Sequence, residues 1–144
     1  MDINPGMYII TSWAIKDGKL QAFESVLTKM IDAVHSQDKG AVLCDYYLSD
    51  DQQTSFGVEY YDSPHAYVVA CQAVKPWNDE LMAAADPTLV WVLGEITDEV
   101  RRELEGWTYV HGNFLMGFFD AKGSPFLRML DKAKARISHR RSVG

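Results

Sequence analysis

The sequence lacks the short motifs that name a reaction by themselves. It has no glycine-rich dinucleotide fingerprint, no phosphate-binding loop and no GxSxG nucleophile elbow. Gly112 and Gly117 have no Lys-Ser/Thr after them, as a phosphate-binding loop would need. The four histidines, His35, His65, His111 and His139, are scattered, with no HxH or HxxxH pair, so no metal site is expected. Cysteine is nearly missing. Cys44 and Cys71 show no CxxC spacing, which excludes a disulfide framework and leaves two small buried hydrophobes. No apolar run reaches the length of a membrane span. MDINPGMYII has no basic region ahead of an apolar stretch, so a signal peptide is not expected and the cytoplasm is the default location. Positive charge is also short. The net charge of −6 argues against nucleic acid as the main partner, because phosphate binding needs a basic surface. The charge is uneven: residues 126–144 carry six Lys or Arg and one Asp, a local +5, which leaves −11 in residues 1–125. This basic end is either a solvated helix and tail or a weak contact for an anionic partner.

What remains is a chain of 144 residues with 47% hydrophobic residues, enough for one domain around one core. The stretch GAVLCDYYLSDDQQTSFGVEYYDS, residues 40–63, organises it. Two runs rich in aromatic and β-branched residues, 41–48 and 54–61, flank the polar segment Ser49-Asp50-Asp51-Gln52-Gln53. That pattern predicts a β-hairpin with a five-residue loop. With Leu48 opposite Thr54, alternation puts Val42, Cys44, Tyr46, Leu48, Phe56, Val58 and Tyr60 on one face, nearly all apolar and suited to packing under helices. The other face receives Leu43, Asp45, Tyr47, Ser55, Gly57, Glu59 and Tyr61, a mixed set that meets water or lines a cavity. A one-residue slip would exchange these partners.

Residues 1–6 read as a frayed leader and 7–14 (MYIITSWA) as the first strand. Leu20, Phe23, Val26, Leu27, Met30, Ile31 and Val34 form one apolar stripe, which predicts a helix over 20–37, with Gly40 just past its end. Ser63 caps a second helix opened by Pro64 and running to about residue 74. Pro76 stops or kinks it, 77–85 allow another helical turn or two, and 88–94 (TLVWVLG) read as a strand. Strand, helix, strand, strand, helix, strand is the ferredoxin-like βαββαβ order, an α+β fold with an antiparallel sheet and both helices on one face. It spans residues 7–95 as one domain, with 96–144 as a C-terminal extension. In that extension Thr97 caps a short helix over 98–105. Residues 107–119 are a fifth strand with a bulge or an arm on a partner subunit, 124–137 a last helix, and 138–144 a disordered tail.

The run from Gly40 through Ala70 resembles the antibiotic biosynthesis monooxygenase family of the dimeric α+β barrel superfamily. The matching features are Gly40 after the helix, Tyr46, the turn Asp50-Asp51, Glu59-Tyr60-Tyr61, and Asp62-Ser63-Pro64 opening the next helix. The resemblance implies a homodimer whose two sheets meet face to face, and a pocket between each sheet and its helices or partner. It implies, for some members, oxidation of polyphenols or quinols by molecular oxygen without a cofactor. Other members open haem, and many have no demonstrated activity. One departure matters: a histidine seven residues after the helix-opening serine is frequent in the family, and here that position is Ala70. His65 cannot replace it, because five residues along a helix turn a side chain about 140° away.

Glu59 matches the strand glutamate of the family. With Asp45 across the ladder, the two carboxylates would raise each other's pKa, and a raised carboxylate can take a phenol proton. The alternative is a structural hydrogen bond or an interface ion pair. Tyr47 and Tyr61 could hold a flat substrate, with Trp13, Trp77 and Trp91 adding to the pocket. Aromatic packing at a dimer interface, or in the core, explains the same residues. The expectation is therefore a cofactor-independent monooxygenase-like protein acting on a small phenol or quinol. Its catalytic groups would be Glu59 and Asp45, its substrate-binding groups Tyr47, Tyr61 and Trp13, with no metal and no cofactor. The alternative is a non-catalytic binding or interaction module on the same dimeric scaffold. The expected partners are a small aromatic molecule and a second copy of the chain through the sheet face, with no nucleic acid and no membrane.

Overall fold

In the computed structural model, residues 6–37 and 39–117 are described. Residues 1–5 of the leader expected over 1–6, the end of the 107–119 segment, the helix expected over 124–137 and the tail lie outside them, while Gly6 is described and buried. Strand β1 (Met7–Ile15) leads into helix α1 (Leu20–Gln37), then β2 (Ala41–Leu48) and β3 (Thr54–Tyr61). Helix α2 (Pro64–Val74), a 3₁₀ turn (Lys75–Trp77), α3 (Asn78–Ala84) and β4 (Ala85–Leu93) complete a βαββαβ unit. Helix α4 (Asp98–Glu103) and the short β5 (Val110–Gly112) follow. The sheet order is β2-β3-β1-β4-β5, with every pair antiparallel except β4 and β5, which run parallel. The architecture is α+β and ferredoxin-like, as the element order predicts. No described helix is long and apolar enough to cross a membrane.

Local chemistry explains the elements. In α1 the apolar stripe buries Phe23, Val26 and Val34. Helix α2 starts where Ser63 Oγ accepts the Ala66 N–H at 3.1 Å and Pro64 occupies the first turn. Thr97 caps α4 in the same way through the Val100 N–H. Pro87 lies at the register irregularity between β1 and β4, where a missing N–H does least harm to the ladder. Strand β4 starts at Ala85, three residues before the predicted strand, because β1 continues to pair with it past that irregularity.

The hairpin register corrects the face sorting. Ser49 donates its N–H to Thr54 O at 2.8 Å, so Ser49, not Leu48, lies opposite Thr54. The Asp51 carboxylate accepts from Ser49 Oγ and from the Gln53 N–H, and Gln52 takes a left-handed φ of 62°. This chemistry closes a tighter loop than the five-residue one and pairs Leu48 with Ser55, Tyr46 with Gly57 and Cys44 with Glu59. The helix-facing side then carries Met7, Ile9, Thr11 and Trp13 from β1, Cys44 and Tyr46 from β2, and Gly57, Glu59 and Tyr61 from β3. Asp45 and Tyr47 fall on the other side, in register with Val58 and Phe56. That open side also bears Tyr8, Ile10, Tyr60 and Trp91. Tyr47, Phe56 and Trp91 are 57%, 46% and 44% exposed there.

Two apolar clusters form under the helices. One joins Met7, Ile9, Tyr61 and Val92 to α2 and α4, through Ala66, Ala70, Val100 and Leu104. The other joins Trp13 to α1 and α3, through Phe23, Val26 and Leu81. Helix α4 and β5 belong to the same compact unit as the βαββαβ elements, a unit that ends at Phe114.

Candidate functional site

A cavity of about 400 Å³ lies between the helix-facing side of the sheet and the helices. This is within the usual range for small-molecule sites. Its floor is sheet: Thr11, Trp13, Cys44, Tyr46, Glu59 and Tyr61. Helices α1 and α2 give it apolar walls, including Met30, Val34 and Ala70. Its rim holds the exposed side chains of Lys75, Arg102 and Glu105.

Glu59 is the only carboxylate of the sheet floor among the described residues. Both of its oxygens are occupied. Tyr46 donates its hydroxyl to Oε2 at 3.1 Å, and Tyr61 donates to Oε1. The chain extends backwards from Tyr46. The Thr11 hydroxyl donates to the Tyr46 oxygen, and the Trp13 indole donates Nε1–H to Thr11 Oγ1 at 3.0 Å. Every donor in this series points toward Glu59. Gly57 makes the series possible, since a Cβ there would press on Thr11 Oγ1 and come within 2.8 Å of the Tyr46 ring.

The electrostatics follow from enclosure. Burial pushes the Glu59 carboxyl above the ordinary glutamate range, while the Tyr61 and Tyr46 hydroxyls hold it down by stabilising the charge. Burial also raises both tyrosines well above the usual phenol value, and the adjacent Glu59 charge adds to this. The two tyrosines therefore remain donors to Glu59. Burial pushes the Cys71 thiol up to about 12, against a hydrogen bond with Tyr67, and raises the Cys44 thiol as well. Neither is an activated nucleophile. A buried carboxyl with a raised pKa, facing an apolar cavity, can accept or return a proton.

Of the residues singled out from the sequence, Glu59, Tyr61 and Trp13 meet at this cavity. Asp45 and Tyr47 do not, because the hairpin register carries them to the opposite face, and Asp45 and Glu59 form no pair across the ladder. Trp91 is on the open face, and Trp77 packs with the α1–α3 cluster outside the cavity lining. The sequence reading missed Tyr46 and Thr11, which the register brings beside Glu59, and Trp107 from the segment after α4. Among the described residues no histidine lines the cavity, and Ala70 faces it where the resemblance places one. No group of three or more His, Cys, Asp or Glu among the described residues could hold a metal ion.

No family model matches the sequence, and no curated protein matches it either. Solved structures do share the fold. MupZ from Pseudomonas fluorescens superposes with a TM-score of 0.74 at 15% identity, over 86% of this chain and 96% of that one. SnoaB, a cofactor-independent oxygenase from Streptomyces nogalater, gives 0.53 at 15% identity, over 63% of this chain and 93% of that one. A putative antibiotic biosynthesis monooxygenase from Nitrosomonas europaea gives 0.53 at 17% identity, over 65% and 94%. The fold is thus that of antibiotic biosynthesis monooxygenase-like proteins.

Proposed function

We propose that this chain is a cofactor-independent monooxygenase that acts on a small phenol or quinol, with Glu59 as the proton acceptor. The observation that supports this reading is the carboxyl of Glu59 facing an apolar cavity, its pKa raised by burial while two tyrosines keep its anion available. Tyr61, Tyr46 and Trp13 surround the point where a phenolic oxygen would meet Glu59. Removal of the phenolic proton gives an electron-rich phenolate, which passes one electron to dioxygen. The radical pair joins as a ring-carbon peroxide anion, which takes the stored proton back from Glu59 to become a hydroperoxide, and loss of water leaves a carbonyl. Over the whole reaction the substrate gains one oxygen atom and loses two hydrogens, and the second oxygen leaves as water carrying them. In the loss of water Glu59 takes the proton from the ring carbon and passes it to the departing hydroxide.

The open sheet face supports a homodimer. Tyr47, Phe56 and Trp91 each expose a large apolar side chain on this one face, and large apolar patches usually mark an interface. A second reading, a binding module without catalysis, is favoured by Ala70 in place of the histidine that the resemblance implies. Glu59→Gln separates the two. Under the catalytic reading, turnover of a quinol panel in oxygenated buffer falls about 10²-fold or more, with ligand affinity nearly retained. Turnover of the variant at the wild-type rate refutes Glu59 as the base.

A further inference from the structure

Two apolar clusters flank the cavity, and among the partly buried side chains of the described residues only Trp107 packs against both. Trp107 lies beyond the βαββαβ unit, and several contacts fix its position. Val100 and Leu104 anchor α4 in the core. His65 Nδ1 lies 3.2 Å from Glu99, and Gln72 donates to Glu103 at 3.3 Å, so α4 is tied to two points of α2. Gly106, with φ of +83°, turns the chain after α4, and the Trp107 N–H closes on Leu104 O at 3.0 Å. This brings the indole of Trp107 edge-on to that of Trp13, with centroids 6.2 Å apart and planes at 83°. Both indoles line the cavity, and Trp13 is also the start of the hydrogen-bond series that ends on Glu59.

We infer that Trp107 is a specificity-determining residue: with Trp13 it forms a right-angled indole corner that selects flat aromatic ligands over saturated ones of the same outline. Two indole planes at a right angle offer a ring one face to stack on and one to meet edge-on, the two arrangements aromatic quadrupoles favour. An aliphatic ligand of equal size gains the burial but not this term. The inference rests on the reading of the cavity as a site for a small aromatic molecule, and does not require that the molecule be turned over.

The test is a titration of the protein with naphthol and, separately, with decahydronaphthol, followed by NMR of the indole N–H groups. The four tryptophans supply their own reference: Trp13 and Trp107 line the cavity, whereas Trp91 lies on the opposite sheet face. Naphthol is expected to move the Trp13 and Trp107 resonances, to leave Trp91 in place, and to bind about 3–10-fold more tightly than decahydronaphthol. Trp107→Phe should keep this preference and Trp107→Leu should lose it. Equal affinity of the wild type for the two probes overturns the inference, as does a naphthol titration that leaves the Trp107 resonance unmoved. This wild-type readout stands even where Trp107→Leu fails to fold. Naphthol bound at the corner without oxidation would refute the proposed monooxygenase and leave the corner intact.

Discussion

Replacing Tyr46 with phenylalanine removes one hydroxyl from the series that ends on Glu59 and opens no space in the floor of the cavity. The bond lost is the 3.1 Å donation to Glu59 Oε2, one of two that stabilise the anion against burial. A hydrogen bond to a charged group contributes about 1.5–3 kcal/mol and one between neutral groups about 0.5–1.5. The substitution should therefore cost about 1–1.5 kcal/mol more when Glu59 is ionised than when it is protonated. At about 1.4 kcal/mol per pH unit, the carboxyl should titrate about one unit higher in Tyr46→Phe. The folded pKa of Glu59 already lies above its unfolded value, because burial raises it. Its contribution to stability is then fully present below the unfolded glutamate pKa and is lost as pH rises through the folded one. In the variant that loss begins at the same pH, set by the unfolded chain, but ends later and deeper. Denaturant unfolding across a pH series should show a destabilisation that grows from acid toward neutral and then levels off. Carbon NMR of the Glu59 carboxyl should show the raised midpoint directly. Tyr67→Phe is the control, because that hydroxyl bonds with Cys71 rather than with Glu59. A midpoint that stays put or falls in Tyr46→Phe, or a destabilisation independent of pH, would refute this account of the site.

Gly57→Ala should destabilise the protein by about 1–3 kcal/mol in denaturant unfolding, since the added methyl presses on Thr11 and the Tyr46 ring; an unchanged midpoint would mean the floor is looser than its contacts indicate. If the proposed homodimer forms through the open sheet face, light scattering at micromolar concentration should give the mass of two chains for the wild type and of one, near 16.3 kDa, for Phe56→Lys, which puts a charge on that face; a wild type at the one-chain mass, or a variant that keeps the two-chain mass, would refute this.

The secondary structure was legible because each element carries its own chemistry. The α1 stripe, the Ser63-Pro64 start of α2 and the paired aromatic runs of the hairpin needed no distant information, and α1, β2, β3 and α2 occupy the residues the pattern indicates. Glu59 and Tyr61 fall on one face by strand parity alone, and Glu59 also carries the family resemblance, whereas the place of Trp13 depends on how β1 pairs with β3. The partners of Glu59 could not be picked out. They depend on one residue of register, which is decided by how Ser49, Asp51 and Gln53 bond within the loop. A shift of that size exchanged Asp45 and Tyr47 for Cys44 and Tyr46. Trp107 was harder still, because its place depends on how α4 docks onto α2, and neither helix is patterned strongly enough to show its partner.

The direction of the hydrogen bonds around Glu59 determines how a proton can travel. A protonated carboxyl can donate its O–H into the cavity or, if one of the two tyrosine hydroxyls turns round, to that hydroxyl. On the Tyr46 side the reversal could spread to Thr11, whose hydroxyl is free to swing either way. It stops at Trp13, because an indole N–H has no lone pair to offer and always donates. The series behind Tyr46 is therefore a blind alley for proton conduction. Under the proposed reading, a proton passed to Glu59 would have no exit through that wall of the sheet, and the floor of the cavity would act as an insulator on that side.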